Sequence, residues 1–441
     1  MQLKKPIGGS LAAATCGLLG SLPSAPAAAQ EADKWDIDTS FVYYGEDNDR
    51  VTSYTLDAAI RRAFDEDRFL NLNLTVDSLT GATPNGAVPA NTVQTFTGSS
   101  GGKSYSVQPG DVPLDPTFLD TRVALAATWQ QPLGESSRWS AGLTASDEYD
   151  YFHIGVNARL EFDFNQKNTT AFVGLAYGQD DIKPVGGAPI GFSPMTGERE
   201  DGEEEEGDDD NYRGGGDQTK DVADALIGVT QILGRRDILE LTYSYGQSDG
   251  YLTDPYKLLS VVDPVTGRPA PGIDGEVPYL YLYEHRPDQR TKQAGYVEWR
   301  HAFDRDSFSL GARYMTDDWG IDSQTVDARY RWNINENSYL EPQLRWYTQG
   351  AADFYRTVLF DGDPLPDYAS ADTRLADMDA YTVGAKFGHR TEHGEWSVRL
   401  EYYRQEPNPS PEALVGDLAG FDELILPMSA VIAQFGYRFK F

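Results

Sequence analysis

Along most of this chain apolar and polar residues alternate one for one. Val431, Ala433, Phe435, Tyr437, Phe439 and Phe441 hold alternate positions to the C-terminus, with Gln434, Gly436, Arg438 and Lys440 between them. Side chains of a β-strand point to opposite faces in turn, so the stretch predicts a strand with one oily and one polar face. The same period recurs from Trp35, Ile37, Phe41 and Tyr43 onward. It is clearest in Phe152, Ile154, Val156, Ala158, Leu160 and Phe162. In all, about 16 such segments (14–18) are expected for a chain of this kind. One of them, Val222 to Ile232, is apolar on both faces, and a short helix is an alternative there.

The spacers sort by parity. Those at 65–68, 133–137, 165–167, 234–237, 304–306, 333–337 and 388–394 are all short. The intervening ones include every long connection, at 80–118, 182–219, 247–290, 350–373 and 406–428, besides three short ones. Short turns at one end and long loops at the other mark an outer-membrane barrel. A soluble sandwich has no reason to sort its loops this way. The expected fold is therefore all-β: a transmembrane antiparallel up-and-down β-barrel. Beyond the leader no apolar run is long enough for a transmembrane helix. The loop at 247–290 carries Leu258, Leu259, Val261 and Val262, then returns through Tyr279 to Tyr283, which predicts an extended hairpin or a lumen plug.

The first residues read as a cleaved secretory signal, 1–29, leaving the barrel to 30–441. Lys4 and Lys5 are followed by an apolar stretch from Ile7 to Leu22 and by Ala27, Ala28 and Ala29. A lipoprotein signal at Cys16 is the rival reading, though Thr15 before it fits poorly. Cleavage after Ala29 removes the single cysteine and with it any disulfide chemistry.

Composition adds Tyr in excess of Phe and Trp, with 43 Gly and 25 Pro for turns. The formal charge of −32 argues against nucleic-acid binding, which needs Lys and Arg against phosphates. Without Lys4 and Lys5 the remainder carries 35 basic and 69 acidic side chains, a net −34.

Three runs carry a family resemblance: Tyr279 to Asp288, Asp317-Asp318-Trp319-Gly320-Ile321, and Glu341 to Tyr347 followed by Ala351 to Tyr355. With them the chain resembles a proteobacterial outer-membrane β-barrel family catalogued only as a domain of unknown function. The resemblance spans essentially all of the chain after the leader. It implies a Gram-negative outer-membrane location after secretion to the periplasm, and contact with outer-membrane lipids. Members are often encoded beside a very short lipoprotein, which the resemblance therefore suggests as a partner. No catalytic residue carries over. The final strand also resembles the closing strand of such barrels, whose terminal aromatic is read by the barrel-assembly machinery; here Phe439 and Phe441 would serve.

If the oily faces meet lipid, the opposite faces line the lumen. Earlier segments then send in Asp57, Arg61, Asp77, Arg122, Arg159, Glu161, Asp163 and Glu240, and later ones Glu298, Arg300, Arg313, Asp327, Arg329, Arg331, Glu341, Arg345, Lys386, Arg399 and Glu401. The first wall is the more acidic and the second the more basic. Such walls suit a channel for small polar or ionic solutes; alternatively the charges pair and only specify shape. A run of carboxylates, Glu203, Glu204, Glu205, Glu206, Asp208, Asp209 and Asp210, offers hard oxygen ligands to divalent ions. It lacks the spacing of a calcium loop, and like charges extend the chain.

Enzymatic readings find no support. Gly-x-Ser-x-Gly spacings occur at Gly98 to Gly102 and Gly246 to Gly250, but neither lies at the strand-to-helix turn that a nucleophile elbow needs; no phosphate loop occurs, and His389 and His393 fall at a short turn. No cofactor is expected. The two functions left are a diffusion channel and a structural scaffold that anchors or threads a small lipoprotein or surface component.

Overall fold

The computed structural model describes residues 35–441 apart from 49, 66, 98–103, 196–212 and 274–278. The expected leader at 1–29 and the acidic run Glu203–Asp210 lie outside the described residues.

Sixteen antiparallel strands close into one barrel. They are β1 (Trp35–Glu46), β2 (Thr52–Ala63), β3 (Phe69–Pro84), β4 (Leu114–Pro132), β5 (Ser137–Asp147) and β6 (Tyr151–Phe164). Next come β7 (Thr169–Ile182), β8 (Gln218–Ile232), β9 (Asp237–Gly250), β10 (Gln289–Ala302) and β11 (Ser307–Asp317). The ring ends with β12 (Asp322–Asn333), β13 (Ser338–Gln349), β14 (Met378–Arg390), β15 (Glu395–Pro407) and β16 (Met428–Lys440). Each pairs with its neighbours in sequence, and β1 pairs with β16 from Asp36↔Lys440 to Glu46↔Ala430.

Parity places the faces as the alternation requires. Leu56, Leu125, Leu143, Leu175, Leu344 and Leu400 all point outward and are exposed. Aromatic residues bracket this band. Trp299, Phe308, Trp332, Phe387 and Trp396 sit toward the short turns, and Tyr54, Tyr177, Tyr243, Tyr314 and Tyr402 toward the long loops. Two aromatic girdles around an aliphatic band make a surface matched to hydrocarbon between two interfaces. The molecule is an outer-membrane-type β-barrel.

The segment with two apolar faces is strand β8, not a helix. Ile227 faces outward, whereas Val222 and Leu226 face inward, and Leu226 packs with Phe172 and Ala176 of β7. An apolar patch of the lumen erased the alternation there. One irregularity occurs in β3, where the register with β4 shifts between Gly81 and Thr83. Gly81 has φ +135°, and a side chain at that position would run into the Arg50 carbonyl. Only glycine fits this bulge.

The seam is secured beyond the ladder itself. Trp35 N donates to Phe441 O at 2.9 Å and Phe441 N to Trp35 O at 3.1 Å. On the lumen side Arg438 Nε meets Asp36 Oδ1 at 2.9 Å, and Lys440 Nζ lies 3.5 Å from Asp36 Oδ2. On the outer side Tyr437, Phe439 and Phe441 stack with ring centroids 5.5 and 6.2 Å apart. Deleting Phe441 removes two seam hydrogen bonds, at about 1 kcal/mol net each. The refolded variant should lose its compact migration on unboiled gels at a lower temperature than the parent; unchanged melting would contradict this account.

Candidate functional site: a charged lumen beneath a folded loop body

All the long connections lie at one end, joining β3 to β4, β7 to β8, β9 to β10, β13 to β14 and β15 to β16. They do not dangle separately. Val88, Val262, Val358, Ala413, Leu418 and Leu424, drawn from four of these loops, share one buried cluster. Ala87 and Phe96 meet Met195, Leu258 and Tyr281 in another. Loops rooted all round a sixteen-stranded ring can share a core only by meeting across its mouth. The long loops therefore form a folded body over that end.

At its centre is a three-stranded sheet. Residues Leu258–Val262 pair antiparallel with Tyr281–Tyr283 and parallel with Val358–Phe360. The hairpin expected from the Tyr-Leu alternation is present, but it is not an exposed tyrosine edge. Tyr281, Leu282 and Tyr283 are all buried. The free edge of the strand is covered by 192–195, through Tyr283 N to Ser193 O at 3.0 Å and Met195 N to Tyr281 O at 2.8 Å. A partner cannot add a strand there.

Buried charges tie the loops together. Arg286 bridges Glu284 at 2.6 Å and Asp372 at 2.7 Å, while Arg374 reaches Asp254 at 2.7 Å and also Asp372. Asp254 N donates to Glu284 Oε1 at 2.6 Å, and Ser370 Oγ donates to the same carboxylate's other oxygen. Burial pushes Asp372 up, but Arg374 and Arg286 more than reverse this and hold it far below the usual carboxylate range. Asp254 is likewise held low, burial being outweighed by Arg374, Lys257 and Arg286. Glu284 goes the other way: burial raises it, with Arg286 opposing and Asp254 and Asp372 adding.

Below the loop body the inward faces carry charge. On β3 to β10 most of these charges are paired. Arg122 bonds Asp77; Arg138 lies 2.5 Å from Glu161 and 2.8 Å from Asp163; Arg159 lies 2.7 Å from Glu161. Arg300 meets Glu298 at 2.5 Å and approaches Glu240 at 4.0 Å. Near the loops, buried His153 and Lys220 both contact Asp180, at 2.6 and 3.0 Å. The sequence reading had passed over Arg138, Asp180 and Lys220.

The lumen candidates on β11, β12, β13 and β15 divide. Arg329 pairs with Asp327 at 3.0 Å, and Arg399 with Glu401 at 3.2 Å, with Gln343 Nε2 donating to Glu401 at 2.6 Å. Arg331 stacks over the Tyr339 ring at 3.5 Å, and Glu341 is half-buried on the same wall. Arg313 and Arg345 have no carboxylate within 4 Å among the described residues, and Arg313 is exposed to solvent although it points inward. So one wall neutralises itself and the other does not. Among the described residues no cluster of three or more His, Cys, Asp or Glu is arranged to hold a metal ion.

A family model described as "Protein of unknown function (DUF3570)" matches residues 8–439. No curated protein matches the chain. Solved structures similar to it include CdiB from Acinetobacter baumannii, at 9% identity and a TM-score of 0.46, covering 93% of this chain and 61% of that one. Another is the siderophore receptor PirA from Acinetobacter baumannii, at 8% identity and TM-score 0.39, covering 86% and 54%. A third is the CymD monoaromatic hydrocarbon channel, at 9% identity and TM-score 0.38, covering 93% and 89%. The chain thus spans about three-fifths of the length of CdiB and about half that of PirA.

The loop network has a definite pH response. A carboxyl whose pKa rises on folding binds its proton more tightly in the folded state, so protonating Glu284 favours the folded loops as pH falls from neutrality. Asp372 and Asp254 are depressed, so their stabilisation survives until pH drops below the ordinary carboxylate range. Loop protection from hydrogen exchange, corrected for intrinsic rates, should hold or rise from pH 7 to about 5 and collapse only below about 3.5. Arg286→Leu strands Glu284 and leaves Asp372 to Arg374 alone, and should destabilise the loop body by about 3–5 kcal/mol, with barrel melting unchanged. Loops that loosen steadily from pH 7 downward would refute the assignment.

Proposed function

Because the chain belongs to the DUF3570 family of proteins of unknown function, its role must be read from its own geometry, and we propose an outer-membrane channel for small polar or ionic solutes. In this reading the barrel sits in a Gram-negative outer membrane after secretion to the periplasm, with the loop body outward. The barrel-assembly machinery engages Phe439 and Phe441. The carrying observation is the inward-facing yet solvent-exposed Arg313. A guanidinium exposed inside a closed ring of strands supports the reading that water occupies the lumen beneath the loops. The loop body then forms the constriction that solutes negotiate, and the charged walls select among them.

The same loop body favours a second reading. It narrows the path through the mouth, while among the described residues the end with short turns carries no comparable loop body. A scaffold that anchors or threads a small lipoprotein or surface component would use that open end.

Purified, refolded protein in a planar bilayer should show discrete conductance steps. Arg286→Leu, which loosens the loop body, should raise their size or their noise. A bilayer that stays silent for both proteins would sink the channel reading. A small protein retained in stoichiometric amount under mild detergent would then carry the scaffold.

A further inference from the structure

We propose that Lys292, Arg313 and Arg345 form a binding site for small oxyanions, of the carboxylate or phosphate class, on the inner wall beneath the loop body. The site deepens the channel reading and rests on its water-filled lumen.

The three residues occupy inward positions on β10, β11 and β13. The register sets them as a descending stripe. Lys292 pairs with Asp317 at the loop end of β11, and Arg313 lies four residues below that partner. Arg313 is level with Thr325, which is level with Tyr347, and Arg345 lies two residues lower still. The charges act on one another: Lys292 feels Arg313, and Arg313 feels Arg345. The roof is fixed by Gln349, whose Nε2 donates to the carbonyls of Arg374 at 3.0 Å and Ala376 at 2.8 Å in the loop body.

What sets these cations apart is their surroundings. For four other lumen cations the residue two places along the same strand supplies the counter-charge, as in Arg159 with Glu161, Glu298 with Arg300, Asp327 with Arg329 and Arg399 with Glu401. Arg313 is flanked at that spacing by Gly311 and Met315, Arg345 by Gln343 and Tyr347, and Lys292 by Arg290 and Ala294. Nearby carboxylates are engaged elsewhere. Asp317 is held by Arg290 at 2.9 Å, and Asp327 by Arg329. Asp224 attracts Lys292 only from beyond 4 Å. No carboxylate among the described residues lies within 4 Å of any of the three.

A wall that served only to specify shape would pair these charges as the opposite wall does. Left as they are, the two guanidinium forks present donors alone, with the Lys292 amine above them. Their complement is an oxygen-rich anion that accepts several hydrogen bonds at once. A cation is repelled, and a neutral sugar would leave the charges uncompensated. The net charge of −32 disfavours anions elsewhere, so the attraction is local to this stripe.

The test is titration calorimetry of the full chain in non-ionic detergent at low salt, with sodium citrate and sodium pyrophosphate as probes. The parent should bind at least one of them. Arg313→Gln with Arg345→Gln should weaken that binding roughly tenfold or more. Lys183→Gln, on an exposed loop, should not change it. Heat-dependent gel migration of each variant reports whether the barrel is intact, and Arg313→Lys with Arg345→Lys should restore part of the affinity. No binding by the parent, or equal binding by an intact double Gln variant, overturns the site. Because calorimetry needs no conduction, conducting protein without binding condemns the site alone, and binding protein without conduction condemns the channel alone.

Discussion

A sheet that faces hydrocarbon cannot leave an edge, because an unpaired backbone N–H or C=O finds no water there and costs several kcal/mol. In this chain that requirement falls on one junction. β1 and β16 must pair along eleven registered positions although their residues lie about four hundred apart in sequence. The rest of the architecture follows from closing that junction. An up-and-down ring with both ends of the chain at one rim needs an even number of strands. Connections then alternate between the rims, so long insertions collect at one of them. Hydrogen bonding by Phe441 to Trp35 and the Asp36, Arg438 and Lys440 cluster complete the rim at that junction.

The same requirement made most of the fold legible in the sequence. Lipid sees every second residue of every strand, so the outward face writes a period-2 apolar signal that needs no knowledge of neighbours. Leu143, Val156 and Leu400 could be placed by parity alone, and they face outward. The signal failed at Val222 to Ile232 because the inward face there is apolar too, packing Leu226 on Phe172 and Ala176. Length and flanking turns distinguish such a strand from a helix, but periodicity does not.

The loop body was much less legible, since its core joins Val88, Val262, Val358 and Leu418 from loops far apart in the chain. No local period encodes such a meeting. One signal was available. The run Leu258, Leu259, Ser260, Val261, Val262, apolar but for its central serine, is the pattern of a strand buried on both faces, and it became the centre of the small sheet. The buried ions left a weaker trace. Glu284, Arg286, Asp372 and Arg374 each stand two residues from a partner, the spacing that puts both side chains on one face of an extended chain.

That spacing separates structural charge from uncommitted charge in the lumen as well. Counting signs wall by wall captured the basic excess on β11 to β15 but not which cations carry it. Pairing at two residues removes Arg329 and Arg399 from the excess, and the Tyr339 ring accommodates Arg331. Arg313, Arg345 and Lys386 remain. Barrel closure does not require them, since the ladder and the seam already satisfy the backbone, and an Arg–Glu pair would fill the same space at lower electrostatic cost. A polar interior built only for shape is self-neutral, as β4 to β7 demonstrate with Arg138, Arg159, Glu161 and Asp163. Under the channel reading, charge left over in the lumen therefore belongs to the balance between the protein and what enters it.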